Sequence, residues 1–456
     1  MFRASGSYAS PLQELLRFTV VSEHNVDIKT KKLDANDIED MDVRVEREAI
    51  VFEEFTKLGV SYQGKLIAGF HIPPNTVLDQ KHDKVKAVQV KQEPKLEELH
   101  MVVKAEHLEG GGGGFNVSKL LSWLGIPAVY IALHPKGTIK PEFPGGLEVR
   151  LIEVEVENAT PMLNLVIPKV KRNEEYVVSD RRIIKHPRND MDYNGEIELE
   201  PGLVLIDSVG YEGLVKSVLR AYNKLKSSGK QITGMAALTE KMAGDIAYDI
   251  ISNGFTLVMN EREVCTHANN LSNSLNLEPF HSDEVNYAAL FVGVYYLREL
   301  MKLTSGQYQP IFVTLGKQGS MVVDAQGNVY IAGILRPEQE PENTLGAGDA
   351  YTTGVAVCEF AEKCYGRGYG MEDVMRFATA IARAKIDERL ELSYVSELLS
   401  EKLQFAMLPK PIEHYARKVI FKQGAKDVNN EVELALKHSS GKLNYYIPTS
   451  KVMVKC

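Results

Sequence analysis

The chain has 456 residues, 44% of them apolar, and a formal net charge of −8. It is long enough for one large α/β domain with additions, or for two or three ordinary domains. The acidic balance excludes a general nucleic-acid binder, which needs a basic surface for phosphates, and no run reaches the ~18 apolar residues of a membrane-spanning helix. The opening MFRASGSYAS lacks the apolar core of a secretory signal, and Cys265, Cys358, Cys364 and Cys456 form no C-x-x-C pair. The expectation is a cytoplasmic protein with reduced thiols and no membrane partner.

Phe18 to Ser22 reads as a buried strand that ends in Glu23-His24-Asn25-Val26-Asp27. Asn25 and Asp27 alternate onto one side, an amide and a carboxylate suited to sugar hydroxyls, at the strand end where open α/β sheets bind ligands. An ordinary turn fits the same residues. His24 reads as a satisfied histidine. From about 28 to 104 charged residues crowd in, and short apolar pieces such as Leu66 to Ile72 read as strands. Gly110 to Gly114 then run into Phe115-Asn116-Val117 and an amphipathic helix carrying Val117, Leu120, Leu121 and Leu124, with Gly125 as its stop. Five glycines ahead of a well-formed helix bring bare backbone close to a ligand; a flexible linker is the competing reading.

Val149 to Glu157 alternates apolar with acidic residues and Leu163 to Lys169 is again strand-like, a pattern expected of half-exposed lid strands. A basic run follows, from Lys171 and Arg172 to Arg181, Arg182, Lys185, His186 and Arg188. It fits a phosphate-closing lid or a solvated loop. Gly202 to Asp207 is nearly all apolar, as in a parallel strand covered on both faces. Helix (215–226), strand (232–236), helix (242–252) and strand (255–259) alternate after it, which implies right-handed βαβ units. The last of these strands ends in Asn260-Glu261-Arg262-Glu263, a spacing that also makes an ordinary helix cap. Pro310 to Leu315 is a further buried strand running into a Gly316-x-x-Gly319 turn, and a hairpin about residues 325–328 follows.

The chain is organised around Asn343-Thr344-Leu345-Gly346-Ala347-Gly348-Asp349, at the start of a long apolar helix. Gly346, Ala347 and Gly348 let backbone N–H groups crowd around an anion at a helix N-terminus. Asp349 is out of place as an anion binder, because it repels a phosphate, but it makes sense as the base that relieves an acceptor hydroxyl of its proton. Helices at 374–385 and 395–403 come next, and 442–454 is strand-like.

Taken together, these motifs resemble, in order, the signatures of the ribokinase-like (PfkB) carbohydrate kinases: Asn-x-Asp, the Gly-Gly-Lys-Gly-x-Asn loop, Asn-x-x-Glu, Thr-x-Gly-x-x-Gly and Asp-Thr-x-Gly-Ala-Gly-Asp. Two residues depart, since Gly113 stands in place of the loop Lys and Asn343 in place of the first Asp. The resemblance implies an α/β fold, a doubly wound and mostly parallel sheet flanked by helices with a small β lid. Residues 1–27 and 105–385 would form the core, 28–104 and about 140–200 the lid and insertions, and 386–456 an extension of unassigned role. Asp349 is then the catalytic base and Gly346, Ala347 and Gly348 the anion hole. Asn25, Asp27, Gly112, Gly113, Gly114 and Asn116 bind the acceptor, while Thr314, Gly316, Gly319, Asn343 and Thr344 meet the nucleotide. Asn260 and Glu263 act on Mg²⁺ through water. The implied donor is ADP or ATP. Among members of this family the chain looks most like large archaeal kinases, which makes ADP and ribose 1-phosphate, giving ribose 1,5-bisphosphate, the first expectation. An ATP-dependent sugar, phosphofructose or nucleoside kinase is the alternative, a non-catalytic sugar sensor the competing class, and a homodimer through the lid the expected assembly.

Overall fold

The computed structural model describes residues 16–30, 43–46, 49–52, 58–62, 65–70, 76–79, 84–85, 101–137, 140, 143–156, 162–167, 171–172, 176–177, 182–186, 191–242, 244–272, 287–336, 346–420, 427–432 and 434. Its centre is a ten-stranded sheet. In chain order the strands are β1 (Arg17–Ser22), β2 (Ala128–Pro135), β3 (Glu148–Val154), β4 (Gly202–Asp207), β5 (Ile232–Ala237), β6 (Thr256–Asn260), β7 (Ile311–Thr314), β8 (Ser320–Val323), β9 (Val329–Ala332) and β10 (Phe405–Met407). Across the sheet the order is β3-β2-β1-β4-β5-β6-β7-β8-β9-β10. Strands β3 through β7 are parallel, and β8 to β10 join antiparallel at one edge.

The apolar runs of β1, β2 and β4 have a direct cause. Phe18, Val20, Tyr130, Leu203 and Leu205 belong to one buried cluster, and Val21, Ile131, Val204 and Ile206 to another. Side chains alternate across a strand, so a sheet covered on both faces must be apolar at every position. Helices α1 (Gly113–Trp123), α6 (Ala347–Tyr365), α7 (Met371–Ile386) and α8 (Leu392–Ser400) cover the first face. Helices α2 (Glu212–Ser227), α3 (Asp245–Ser252), α4 (Glu261–Ser272), α5 (Tyr287–Ser305) and α9 (Ile412–Ile420) cover the second. This is the expected doubly wound α/β architecture.

The lid is a second sheet of six strands, in the order Arg182–His186, Met162–Ile167, Asn25–Thr30, Met101–Gly111, Leu58–Tyr62 and Lys65–Phe70. Two of its strands run straight into the core: Asn25–Thr30 continues from β1, and Met101–Gly111 leads into α1. Four short strands between 43 and 85 form a further antiparallel sheet.

Two expectations are corrected here. Glu148–Val154 is not a lid strand; it pairs in parallel with β2 as the edge of the main sheet, where one covered face gives the alternation that a lid strand also shows. Only Met162–Ile167, of the pair expected in the lid, lies there. Nor does the C-terminal part merely follow the sheet. Phe405–Met407 supplies its tenth strand, and Ile412 and Tyr415 of α9 are buried in the second core. The strand-like stretch at 442–454 lies outside the described residues. Cys265, Cys358 and Cys364 are buried free thiols, as expected of the described cysteines. Among the described residues no helix is long and apolar enough to cross a membrane.

Candidate active site

Strand order reverses between β1 and β4, whose last residues, Ser22 and Asp207, are register partners. In open α/β sheets ligands bind where connections leave such a pair in opposite directions, and α1 meets these strand ends by its first turn. Gly114 donates its N–H to Ser22 Oγ at 3.2 Å. A Cβ on Gly114 would stand 2.2 Å from Ser22 Cβ, and one on Gly113 would stand 2.4 Å from Asp207 Oδ1. Both contacts are too close for any side chain, so these glycines let the helix seat directly on the strand ends. The lid strands extend the same junction, because Asn25 pairs with Gly111 and Asp27 with Glu109. Asn25, Asp27 and the glycine loop are therefore brought together at the backbone level.

The organising segment arrives from the other side. Gly346 has φ 77°, a left-handed conformation natural to glycine, and starts α6. The first N–H groups of the helix, at Ala347 and Gly348, have no carbonyl four residues back to bond. Asp349 lies in this first turn, and its Oδ2 accepts a hydrogen bond from Asn116 Nδ2 at 2.7 Å. Asn116 and Asp349 are 233 residues apart in the chain. Their contact joins the expected acceptor loop to the expected base. Asn343 and Thr344 lie outside the described residues.

Asn260 and Thr314 are register partners at the ends of β6 and β7. Asn260 Oδ1 accepts the N–H groups of Arg262 and Glu263, both at 2.9 Å, and Glu263 Oε2 accepts the Asn260 N–H at 2.7 Å. That is a reciprocal cap on α4, so the ordinary role of the pair is realised in the fold. Burial pushes the Glu263 carboxyl up to about 8, and the Glu240 and Asp207 carboxylates add to the shift. Among the described residues no group of three or more His, Cys, Asp or Glu side chains is placed to hold a metal directly. A divalent ion held through water and nucleotide phosphates fits this donor set; an all-protein cage does not. Gly316–Gln318 forms a single 3₁₀ turn, in which Gln318 N–H donates to Leu315 O and Gly319 N–H to Gly316 O, both at 3.1 Å.

Sequence reasoning missed two residues. Asp207 is 2% exposed, and its carboxyl is held well above the usual range, first by burial and then by the carboxylates of Asp349 and Glu23. Lys385, near the end of α7, brings its Cε within 3.2 Å of where a Cβ on Gly346 would stand. A lysine in the last turn of a helix reads from sequence as a complement to the helix dipole; only the fold carries it beside Gly346. His24 is buried, with Nδ1 3.4 Å from the Tyr130 hydroxyl and Nε2 without a hydrogen-bond partner among the described residues. Burial and the neighbouring His134 lower it to about 3, which keeps it neutral.

Residues 296–391, which hold the second half of α5, β7 to β9, α6 and α7, match the family model described as pfkB family carbohydrate kinase. Over this segment the chain is similar to the pfkB carbohydrate kinases. No curated protein sequence matches the chain. Solved structures similar to it include Arabidopsis thaliana ribokinase complexed with ribose and ATP, at 15% identity over 85% of this chain and 100% of that one, with a TM-score of 0.47. Phosphofructokinase-2 from Escherichia coli in complex with fructose-6-phosphate is similar at 13% identity, over 85% of this chain and 99% of that one, with a TM-score of 0.44. The matched segment includes Asp349 and the first turn of α6.

Proposed function

We propose that this protein transfers a phosphoryl group from a nucleotide to a hydroxyl of a sugar, with Asp349 as the base. The observation that carries this reading is the Asn116–Asp349 hydrogen bond at 2.7 Å, made in the first turn of α6. It fixes a carboxylate at the seam between the glycine loop and the anion hole, where an acceptor hydroxyl and a donor phosphate can both reach it. Asp349 takes the hydroxyl proton as the new O–P bond forms, and the bond from phosphorus to the nucleotide's bridging oxygen breaks. Charge on the transferring group faces the N–H groups of Ala347 and Gly348, the positive end of α6, and Lys385. Gly346 leaves that face open. Mg²⁺, when bound, would supply positive charge to the donor phosphates, with Glu263 and Asn260 as the residues to hold its waters.

ADP and ATP present the same kind of phosphate chain to this hole, so the assay runs both. The family resemblance alone suggests a sugar phosphate such as ribose 1-phosphate. The geometry supports that acceptor less, because the loop position expected to carry a Lys is Gly113, and the space beside it holds the Asp207 carboxylate. A matrix of both nucleotides against sugars, nucleosides and sugar phosphates, read as product mass, tests the reading. A mass gain of one phosphoryl group on an acceptor supports it; nucleotide hydrolysis with no phosphorylated product refutes it.

A further inference from the structure

The acceptor side of Asp349 is more acidic than phosphoryl transfer requires. Asp207 ends β4 fully enclosed, and its Oδ1 occupies the space that a side chain at position 113 would fill. Glu23 is buried beside it, with Oε1 accepting the N–H of Gly210 at 2.6 Å. Ser208, whose hydroxyl bonds the Asp207 carboxylate, has φ 52°. A non-glycine residue held there is strained, and such strain persists only where the surroundings over-determine it. The β4 end is thus a fixed feature, built to hold a carboxyl group against the glycine loop. Lys385 stands across from it, on the Gly346 side.

We propose that Asp207 determines acceptor specificity: it selects an uncharged, hydroxyl-bearing sugar or nucleoside and excludes acceptors that carry a phosphate on the Gly113 side. This rests on the sugar-kinase reading. A carboxyl group pairs with a hydroxyl in either protonation state, as acceptor when ionised and as donor when protonated. A phosphate dianion offers it only repulsion when ionised, and it also faces Glu23 and Asp349 at short range in a poorly screened site. Discrimination against the wrong acceptor through such contacts reaches the order of a hundredfold or more.

The test uses the full chain and three matched pairs: ribose with ribose 5-phosphate, fructose with fructose 6-phosphate, and adenosine with AMP, each with ATP and with ADP. The wild type is expected to favour the uncharged member of its preferred pair by about a hundredfold in kcat/KM. Asp207→Asn and Asp207→Ser, checked for an unchanged melting midpoint, should lower that ratio by about tenfold or more, because neither side chain can ionise against a bound phosphate. A purely structural role would depress both members of a pair alike. Calorimetric binding of the same pairs separates this proposal from the kinase reading. Uncharged acceptors that bind but are never phosphorylated would refute the kinase and sustain Asp207 as the selector. Preference for a phosphorylated member, a ratio unmoved by both substitutions, or no binding of any uncharged member overturns it.

Discussion

Near Asp349 stand the buried carboxyl groups of Asp207, which lies against the glycine loop, and Glu23, and also the Gly346 turn, the N-terminus of α6 and Lys385. The two sides differ in charge and also in how they are built. The proposed donor side comes from one continuous segment plus a single lysine. The acceptor side is assembled from β1, β4, α1 and the lid, which meet only in the fold. Under the proposed function the difference gives the site a direction: anionic phosphate on one side, a neutral hydroxyl on the other, and Asp349 between them.

The largest test of that division removes its middle. Asp349→Asn keeps the side chain's shape and lets Asn116 remain bonded, yet loses the base, so turnover should fall by roughly two to four powers of ten while both substrates still bind. Gly346→Val forces a branched side chain into a left-handed turn and toward Lys385 Cε, and should lower turnover about a hundredfold or more by closing the hole. The two losses should not multiply, since both act on one transition state. Near-normal turnover of Asp349→Asn, in conditions where chemistry limits the rate, would sink the assignment of Asp349.

Lys385→Met sharpens the donor side. It keeps the apolar stem and removes the charge, so kcat should drop by roughly ten- to a hundredfold with little change in acceptor KM. A rise in acceptor KM at constant kcat would place Lys385 on the wrong side of the comparison. Gly113→Ala and Gly348→Ala then probe the two sides with one methyl group each. At 113 the methyl collides with Asp207 Oδ1 and should raise acceptor KM by about tenfold. At 348 nothing lies within 4 Å of the added Cβ, so stability should hold or gain roughly 0.5 kcal/mol. Any loss of turnover there reports a phosphate in the open space, and unchanged turnover removes Gly348 from the hole.

The unequal construction of the two sides also explains what could be read from the sequence. Gly346 to Asp349 declares its chemistry in four consecutive residues, and β1 and β4 declare theirs as apolar runs covered on both faces. The capping geometry of Asn260 and Glu263 was legible for the same local reason. Asp207 was not, because an aspartate ending a strand is ordinary until Ser22 is found beside it and Gly113 above it. Lys385 was hidden by 36 residues of helix and turn. Glu148–Val154 misled because an edge strand of the main sheet and a half-covered lid strand share one alternation. Strand β2 was passed over despite its apolar run, and Phe405–Met407 is three residues long, too short to carry a period. Of the basic run from 171 to 188, Arg182–His186 lie in the lid sheet, Lys171–Arg172 in a separate two-stranded sheet, and the rest outside the described residues, so its place relative to a phosphate is no part of the site geometry.

The smallest expected effect on activity comes from a buried carboxyl group outside the site, and it asks whether acidity at Asp207 is special. Glu359, in the middle of α6, is 8% exposed; burial pushes its carboxyl up to about 7, Glu362 adds to the shift, and Lys363 opposes it. A carboxyl that holds its proton more tightly when folded than when unfolded makes the fold less stable as pH climbs from the ordinary carboxylate range, and the loss is complete once pH passes about 7. Glu359→Gln removes that loss. The variant should match the wild type near pH 4.5 and gain roughly 1–3 kcal/mol at pH 8, measured by denaturant unfolding, with turnover and acceptor preference unchanged. Equal stability of the two proteins at pH 8 would mean that Glu359 ionises without penalty. A shift in acceptor preference would mean that buried charge anywhere along α6 tunes the site, and the contrast between its two sides would lose its local cause.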